Sequence, residues 1–160
     1  GARSITVTAD NKTRKYGETN PALTWTVGGD SLVNGDSLTG ALTTAADTAS
    51  GIGAYAINQG TLAASTNYAI AYTSGTLTVG ARSITVTADN KTRKYGETNP
   101  ALTWTVGGDS LVNGDSLTGA LTTAADTASG IGAYAINQGT LAASTNYAIA
   151  YTSGTLTVGA

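Results

Sequence analysis

Ile5-Thr6-Val7-Thr8-Ala9 opens the chain with apolar and hydroxyl side chains in alternation, and Ile84-Thr85-Val86-Thr87-Ala88 repeats it unchanged. A period of two puts Ile5, Val7 and Ala9 on one side of an extended backbone. The β-branched threonines fall on the other, which is the pattern of a half-buried strand. The recurrence settles more than the strand does. Residues 1–79 and 80–158 are identical, and Gly159-Ala160 starts the series a third time. We expect such a chain to be a piece of a longer array.

A period of 79 residues is longer than the ~20–50 residues of units that must stack to share a core. It suffices for an independent domain, since domains of about 55–65 residues fold alone. Each copy holds four Ile, four Val, six Leu, one Trp and four Tyr, a modest core. The expectation is two tandem identical domains, 1–79 and 80–158, with residues 159–160 starting another.

Outward from the opening strand, the polar run Asp10 to Lys15 reads as a solvent-facing continuation or a turn. Tyr16-Gly17-Glu18-Thr19-Asn20-Pro21 reads as a loop, because Pro21 cannot donate to a central ladder and biases Asn20 to extended geometry. Leu23, Trp25 and Val27 alternate with Thr24 and Thr26, predicting a second strand closed by Gly28-Gly29-Asp30. Residues 31–38 are the one place for a helical turn, and Asn34-Gly35 keeps it short. Short strands follow over 41–46, from Tyr55 to about Ala63, through Tyr68-Ala69-Ile70-Ala71-Tyr72, and through Leu77 and Val79. Tyr72 and Leu77 have opposite parity, so a tight turn or a β-bulge between Thr73 and Gly75 must reset the register. The sum is a mainly β fold of five to seven strands with at most one short helix per copy. Only Gly80-Ala81-Arg82-Ser83 separates the last strand of one copy from the first of the next. Four residues reach at most ~14 Å, so no flexible spacer intervenes.

Composition narrows the function classes. There is no Cys, His, Met or Phe, so thiol and imidazole chemistry are ruled out. Charged residues make up 11 % and the net charge is −2, which argues against a nucleic-acid partner and its clustered basic face. No apolar run approaches the ~18 residues that would span a bilayer. A secretion signal would lie upstream.

Enzyme chemistry would have to use Asp10, Glu18, Asp30, Asp36 and Asp47 with Lys12 and Lys15. These carboxylates fall in separate turns, where Asp serves local hydrogen bonding, so we expect no enzyme. Asp30 with Asn34-Gly35-Asp36 offers oxygen ligands for calcium, but the spacing is not that of an EF-hand and Ca²⁺ takes six to eight oxygens. Turn chemistry is the stronger reading. A Lys–Asn crosslink could involve only Lys12 or Lys15 in each copy, and both sit in a polar run, which favours solvated lysines. Asn11-Lys12-Thr13 matches the N-glycosylation pattern and reads as chance. Trp25 and the tyrosines could stack on sugars. Trp25 shares the parity of Leu23 and Val27, so the core reading is preferred. No catalytic, cofactor-binding or metal-binding residue is assigned, and no cofactor is expected.

A set of short strings then acts together. Lys15-Tyr16-Gly17, Asn20-Pro21-Ala22-Leu23-Thr24, Leu32-Val33-Asn34-Gly35-Asp36, Leu38-Thr39-Gly40-Ala41-Leu42 and Tyr55-Ala56-Ile57-Asn58-Gln59-Gly60 follow the opening strand in order, and Asn67-Tyr68 and Leu77-Thr78-Val79 close the copy. Together they resemble the MBG ("mostly β-grasp") repeat domain of the YGX type, over the whole of each copy. The resemblance implies a β-grasp-like fold with its first and last strands side by side and parallel, the copies arranged end to end. It also implies an extracellular, bacterial-surface setting and a stalk or spacer role in adhesins and haemagglutinin-like exoproteins. It supplies no site residues. The expected partners are neighbouring repeats, with no nucleic acid and no membrane insertion, in a monomeric chain. Repetitive weak glycan or matrix binding is the alternative.

Overall fold

The computed structural model describes residues 1–160, all as strand, turn or irregular backbone, with no helix. Two compact units divide it, Gly1–Gly80 and Ala81–Ala160. The first holds β1 (Arg3–Ala9), β2 (Lys12–Lys15), β3 (Trp25–Gly29), β4 (Thr43–Thr44), β5 (Gly53–Asn58), β6 (Tyr68–Thr73) and β7 (Gly75–Gly80). The second repeats the series as β8 (Arg82–Ala88), β9 (Lys91–Lys94), β10 (Trp104–Gly108), β11 (Thr122–Thr123), β12 (Gly132–Asn137), β13 (Tyr147–Thr152) and β14 (Gly154–Gly159).

Each unit is built from two sheets. In the first unit a three-stranded sheet has the order β3-β1-β6 and a four-stranded sheet the order β2-β7-β5-β4. β1 runs antiparallel to β3 and parallel to β6, and β7 runs parallel to β2 and antiparallel to β5. Ile5, Val7 and Ala9 of β1 form one cluster with Ile57 of β5 and Leu77 of β7, so the inner faces of the two sheets close on one another. Leu42, Ala46 and Leu62, from irregular segments, fill the same core. The alternation in the opening strand holds residue by residue: Ser4, Thr6 and Thr8 are exposed, while Ile5, Val7 and Ala9 are buried.

The parity change between Tyr72 and Leu77 has a cause other than a hairpin or a bulge. β6 belongs to one sheet and β7 to the other, and Ser74 alone lies between them. A strand that passes to the facing sheet must invert its inward side. The same passage occurs at Asp10-Asn11, between β1 and β2. The two crossings are tied together, because the Thr76 backbone N–H donates to Asn11 Oδ1 at 2.9 Å. Gly75 is required at this corner: a Cβ there would stand 2.8 Å from the Ala9 carbonyl oxygen.

Several expectations are corrected. The terminal strands are not paired side by side, since β1 pairs with β6 and β7 with β2. The polar run 10–15 is neither a turn nor a solvent-facing extension but holds strand β2, with Arg14 buried. The second strand starts at Trp25 and carries on through Gly28 and Gly29. The strand expected over 41–46 shrinks to Thr43–Thr44. The one expected to reach Ala63 stops at Asn58, where Gly60 adopts φ +60° and Leu62 N–H returns to the Gln59 carbonyl. Residues 31–38 form a turn with Ser31, Asn34 and Gly35 all at positive φ.

Trp25 is half-buried and packs against the core rather than lying inside it. Fully buried aromatics lose about 3–5 kcal/mol on truncation to Ala. Half the ring gives less, so Trp25→Ala with Trp104→Ala should cost about 1–3 kcal/mol per domain in urea unfolding. A cost above this range would restore the full-core assignment.

Candidate functional site

The chemistry-bearing residues singled out in the sequence are dispersed over the first unit, and the second repeats them. Asp10 sits at the β1–β2 crossing. Thr24 Oγ1 donates to its Oδ2 at 2.6 Å and Thr26 Oγ1 to its Oδ1 at 3.1 Å. Glu18 Oε1 accepts the Lys15 backbone N–H at 2.5 Å, closing the loop after β2. Asp47 Oδ1 accepts the Ala49 N–H at 2.9 Å, as an Asx turn does. Asp36 Oδ2 accepts the hydroxyl of Tyr68 at 2.6 Å, and that hydroxyl accepts the Val33 N–H at 3.1 Å. Glu18 and Asp47 organise their own loops, whereas Asp36 ties its loop to Tyr68 of β6 and Asp10 ties the crossing to Thr24 and Thr26.

Of the residues considered for calcium, Asn34 occupies a left-handed turn position and Asp36 turns toward Tyr68. The Asp30 carbonyl accepts from the Arg3 guanidinium. No three acidic side chains gather in one place. Lys12 and Lys15 lie on β2, the first half-buried and the second exposed. Asn11 is held at the sheet crossing through Thr76. The tyrosine hydroxyls bond within the unit as well: Tyr72 donates to the Ile57 carbonyl at 2.7 Å and Tyr55 to the Gly51 carbonyl at 2.8 Å. A shallow groove of about 320 Å³ crosses the three-stranded sheet, between Ser4 and Thr6 of β1, Ala69 and Ala71 of β6, and Asp30. Its walls carry methyls and hydroxyls together with Asp30.

Arg14 is the residue that sequence reading missed. It is only 7 % exposed. Its guanidinium donates to Asn20 Oδ1 at 2.8 Å, to the Lys15 carbonyl at 3.3 Å and to the Asp47 carbonyl. Asn20 Nδ2 in turn donates to the Ala46 carbonyl at 2.8 Å. One buried cation thus pins the loop after β2 and the loop after β4 to the sheet. Lys12 and Lys15 flank it along the chain, which masks it as one more solvated charge.

The Asp10 carboxyl is held below its ordinary value of 3.8, first by the Thr24 hydrogen bond, then by Thr26 and the charge of Lys12, against a desolvation that raises it. Asp89 behaves alike in the second unit. A carboxyl depressed in the folded state stabilises the fold above its unfolded value, and that contribution is lost as pH falls through the folded value. The melting temperature should therefore drop below about pH 4. Asp10→Asn with Asp89→Asn should flatten that drop in melts recorded from pH 7 to pH 2. An acid limb identical in the variant would assign it to other groups.

Tyr72 shifts the opposite way, its hydroxyl pushed above the usual tyrosine range by burial. Tyr68 is raised as well, chiefly because its hydroxyl donates to Asp36.

No helix in the chain is long and apolar enough to cross a membrane. A family model described as "MBG domain (YGX type)" matches residues 5–78 and again 84–157. No curated protein and no solved structure matches the chain.

Proposed function

The chain belongs to the MBG domain family, YGX type, a repeat-domain family typical of surface proteins, and from this we propose that it is a spacer segment in the stalk of a bacterial cell-surface adhesin. Its task is to hold a distal binding region away from the cell. On this reading it is not an enzyme and takes no cofactor. Its partners are the neighbouring repeats, and its setting is extracellular.

The reading rests above all on how each unit is threaded. Residues 3–15 (β1 then β2) and 68–80 (β6 then β7) travel side by side and parallel, from one sheet into the other. The chain therefore comes in at the start of one run and leaves at the end of the other. About 13 residues at ~3.3 Å each give a path of ~40 Å per repeat. β7 ends at Gly80 and β8 starts at Arg82, so Ala81 is the whole linker. Multiplying an identical unit with so short a linker adds length without new design.

Small-angle scattering on chains of two, four and six copies tests this. The maximum dimension should rise by roughly 35–50 Å per copy, nearly in proportion to copy number. Growth as the square root of copy number, the law for a flexible chain, would refute the spacer reading. A second reading, weak glycan or matrix contact multiplied by avidity, draws support from the partly exposed ring of Trp25 and the shallow groove. A glycan and matrix-protein screen decides it.

A further inference from the structure

The two sheets of a unit leave four edge strands, and three of them are guarded. An open edge presents unpaired N–H and C=O groups that invite another strand, and natural proteins blunt it with charge, shortness or irregular backbone. β2 carries Lys12, Arg14 and Lys15. β4 is two residues long. β3 ends in Gly28-Gly29, with Gly29 at φ +70°. β6 has none of these devices. It is six residues long, uncharged, free of proline and without a positive φ, and β1 is its only strand neighbour.

Its sequence is also a palindrome: Tyr68-Ala69-Ile70-Ala71-Tyr72 reads the same in both directions. We propose that β6 is a homophilic docking edge, through which two chains pair antiparallel about a two-fold axis at Ile70. Ala69 then faces Ala71 of the second chain, Ile70 faces its own counterpart, and Tyr68 faces Tyr72. A two-fold contact sets residue i against j and j against i, and the palindrome makes every facing pair from Tyr68 to Tyr72 like with like, while Thr73 meets Asn67. Charge points the same way. A β6–β6 pairing brings no charges together, whereas pairing through β2 would set Lys and Arg against Lys and Arg. Ala69, Ala71 and Thr73 are exposed, while Tyr68, Ile70 and Tyr72 lean inward. The Tyr68 and Tyr72 hydroxyls are bonded inside the unit, which fixes both rings. The product is a continuous six-stranded sheet, β3-β1-β6 running into its mate.

β13 carries the same strand in the second unit. Each unit therefore carries one such edge, and the partner is a second copy of this chain. This inference departs from the expectation of a monomer and is independent of the spacer reading, which concerns length.

Sedimentation equilibrium tests it. The unmodified chain should show a rise in weight-average mass between about 10 µM and 1 mM. The variant Ala69→Lys/Ala71→Lys/Ala148→Lys/Ala150→Lys places like charges opposite one another, and should associate at least tenfold more weakly. The variant Ala69→Lys/Ala71→Glu/Ala148→Lys/Ala150→Glu carries as many new charges but opposes Lys to Glu. It should associate at least as well as the unmodified chain, and lose part of that association in high salt. All four positions face solvent, and thermal melts report folding. An unmodified chain that stays monomeric to 1 mM overturns the proposal. So does equal association of the two variants. Should the all-Lys variant unfold, a folded Lys/Glu variant that is monomeric, or whose association ignores salt, overturns it on its own.

Discussion

Gly40→Ala, made together with Gly119→Ala, should cost about 2–5 kcal/mol per domain and lower the melting temperature of the chain markedly. Two penalties combine. Gly40 adopts φ +84°, where an L side chain carries about 1–2 kcal/mol of strain. A Cβ there would also stand 2.1 Å from the Thr61 carbonyl oxygen and 2.6 Å from its carbon. Both are backbone atoms, and they cannot rotate aside as a side-chain tip would. They are held in place because Thr39 and Ala63 exchange backbone hydrogen bonds at 2.9 and 2.8 Å across the same spot. Forcing them apart adds about 1–3 kcal/mol of overpacking. A domain of this size has about 4–12 kcal/mol of total stability, so the loss removes a large share of it. Gly35→Ala with Gly114→Ala is the control. Gly35 has φ +71° with no atom within 4 Å of a Cβ. It should show the strain alone, about 1–2 kcal/mol. Equal losses at the two sites would mean that the close approach at Thr61 does not matter.

The second large effect lies at Arg14. Arg14→Leu with Arg93→Leu should destabilise each domain by about 2–4 kcal/mol, read from denaturant midpoints. The buried guanidinium makes charge-assisted hydrogen bonds to Asn20 Oδ1 and to the Lys15 and Asp47 carbonyls. Hydrogen bonds to charged groups contribute about 1.5–3 kcal/mol, and acceptors left dry cost more. Arg14→Lys should recover little, since one ammonium cannot reproduce the planar fork that meets separate acceptors at once. Loss of Arg14 should also free the loops around Asn20 and Asp47, seen as faster amide exchange near residues 17–21 and 45–50. A loss below about 0.5 kcal/mol would show the cluster to be incidental.

Arg14 also shows where pattern reading stops. Lys12, Arg14 and Lys15 carry the same sign in one short run, and solvation is the sound reading of such a run. What buries Arg14 is the arrival of Asn20 and of the Asp47 carbonyl, 6 and 33 residues further on. No local period records that. Trp25 is a milder case. Its parity with Leu23 and Val27 correctly places it on the inner side of its strand. The edge position of β3 in its sheet leaves the ring half-buried. The carboxylates read as turn chemistry, and Asp47 and Glu18 have backbone partners within two or three residues. Asp36 instead reaches Tyr68, 32 residues away.

Repetition, strand character and the inward residues of β1 and β7 are legible in the chain alone. Identity is visible without any structure, and a period of two follows directly from the geometry of an extended backbone. The partition of the strands into two sheets is not legible, nor is the pairing of β1 with β6 rather than β7. Both depend on long-range contacts, and alternation says which way a side chain points without saying which strand lies beside it. The opposite parity of Tyr72 and Leu77 carried the information that the backbone changes something at Ser74. Only the facing sheet, with Gly75 packed on Ala9 at its corner, turns that change into a crossing from one layer to the other.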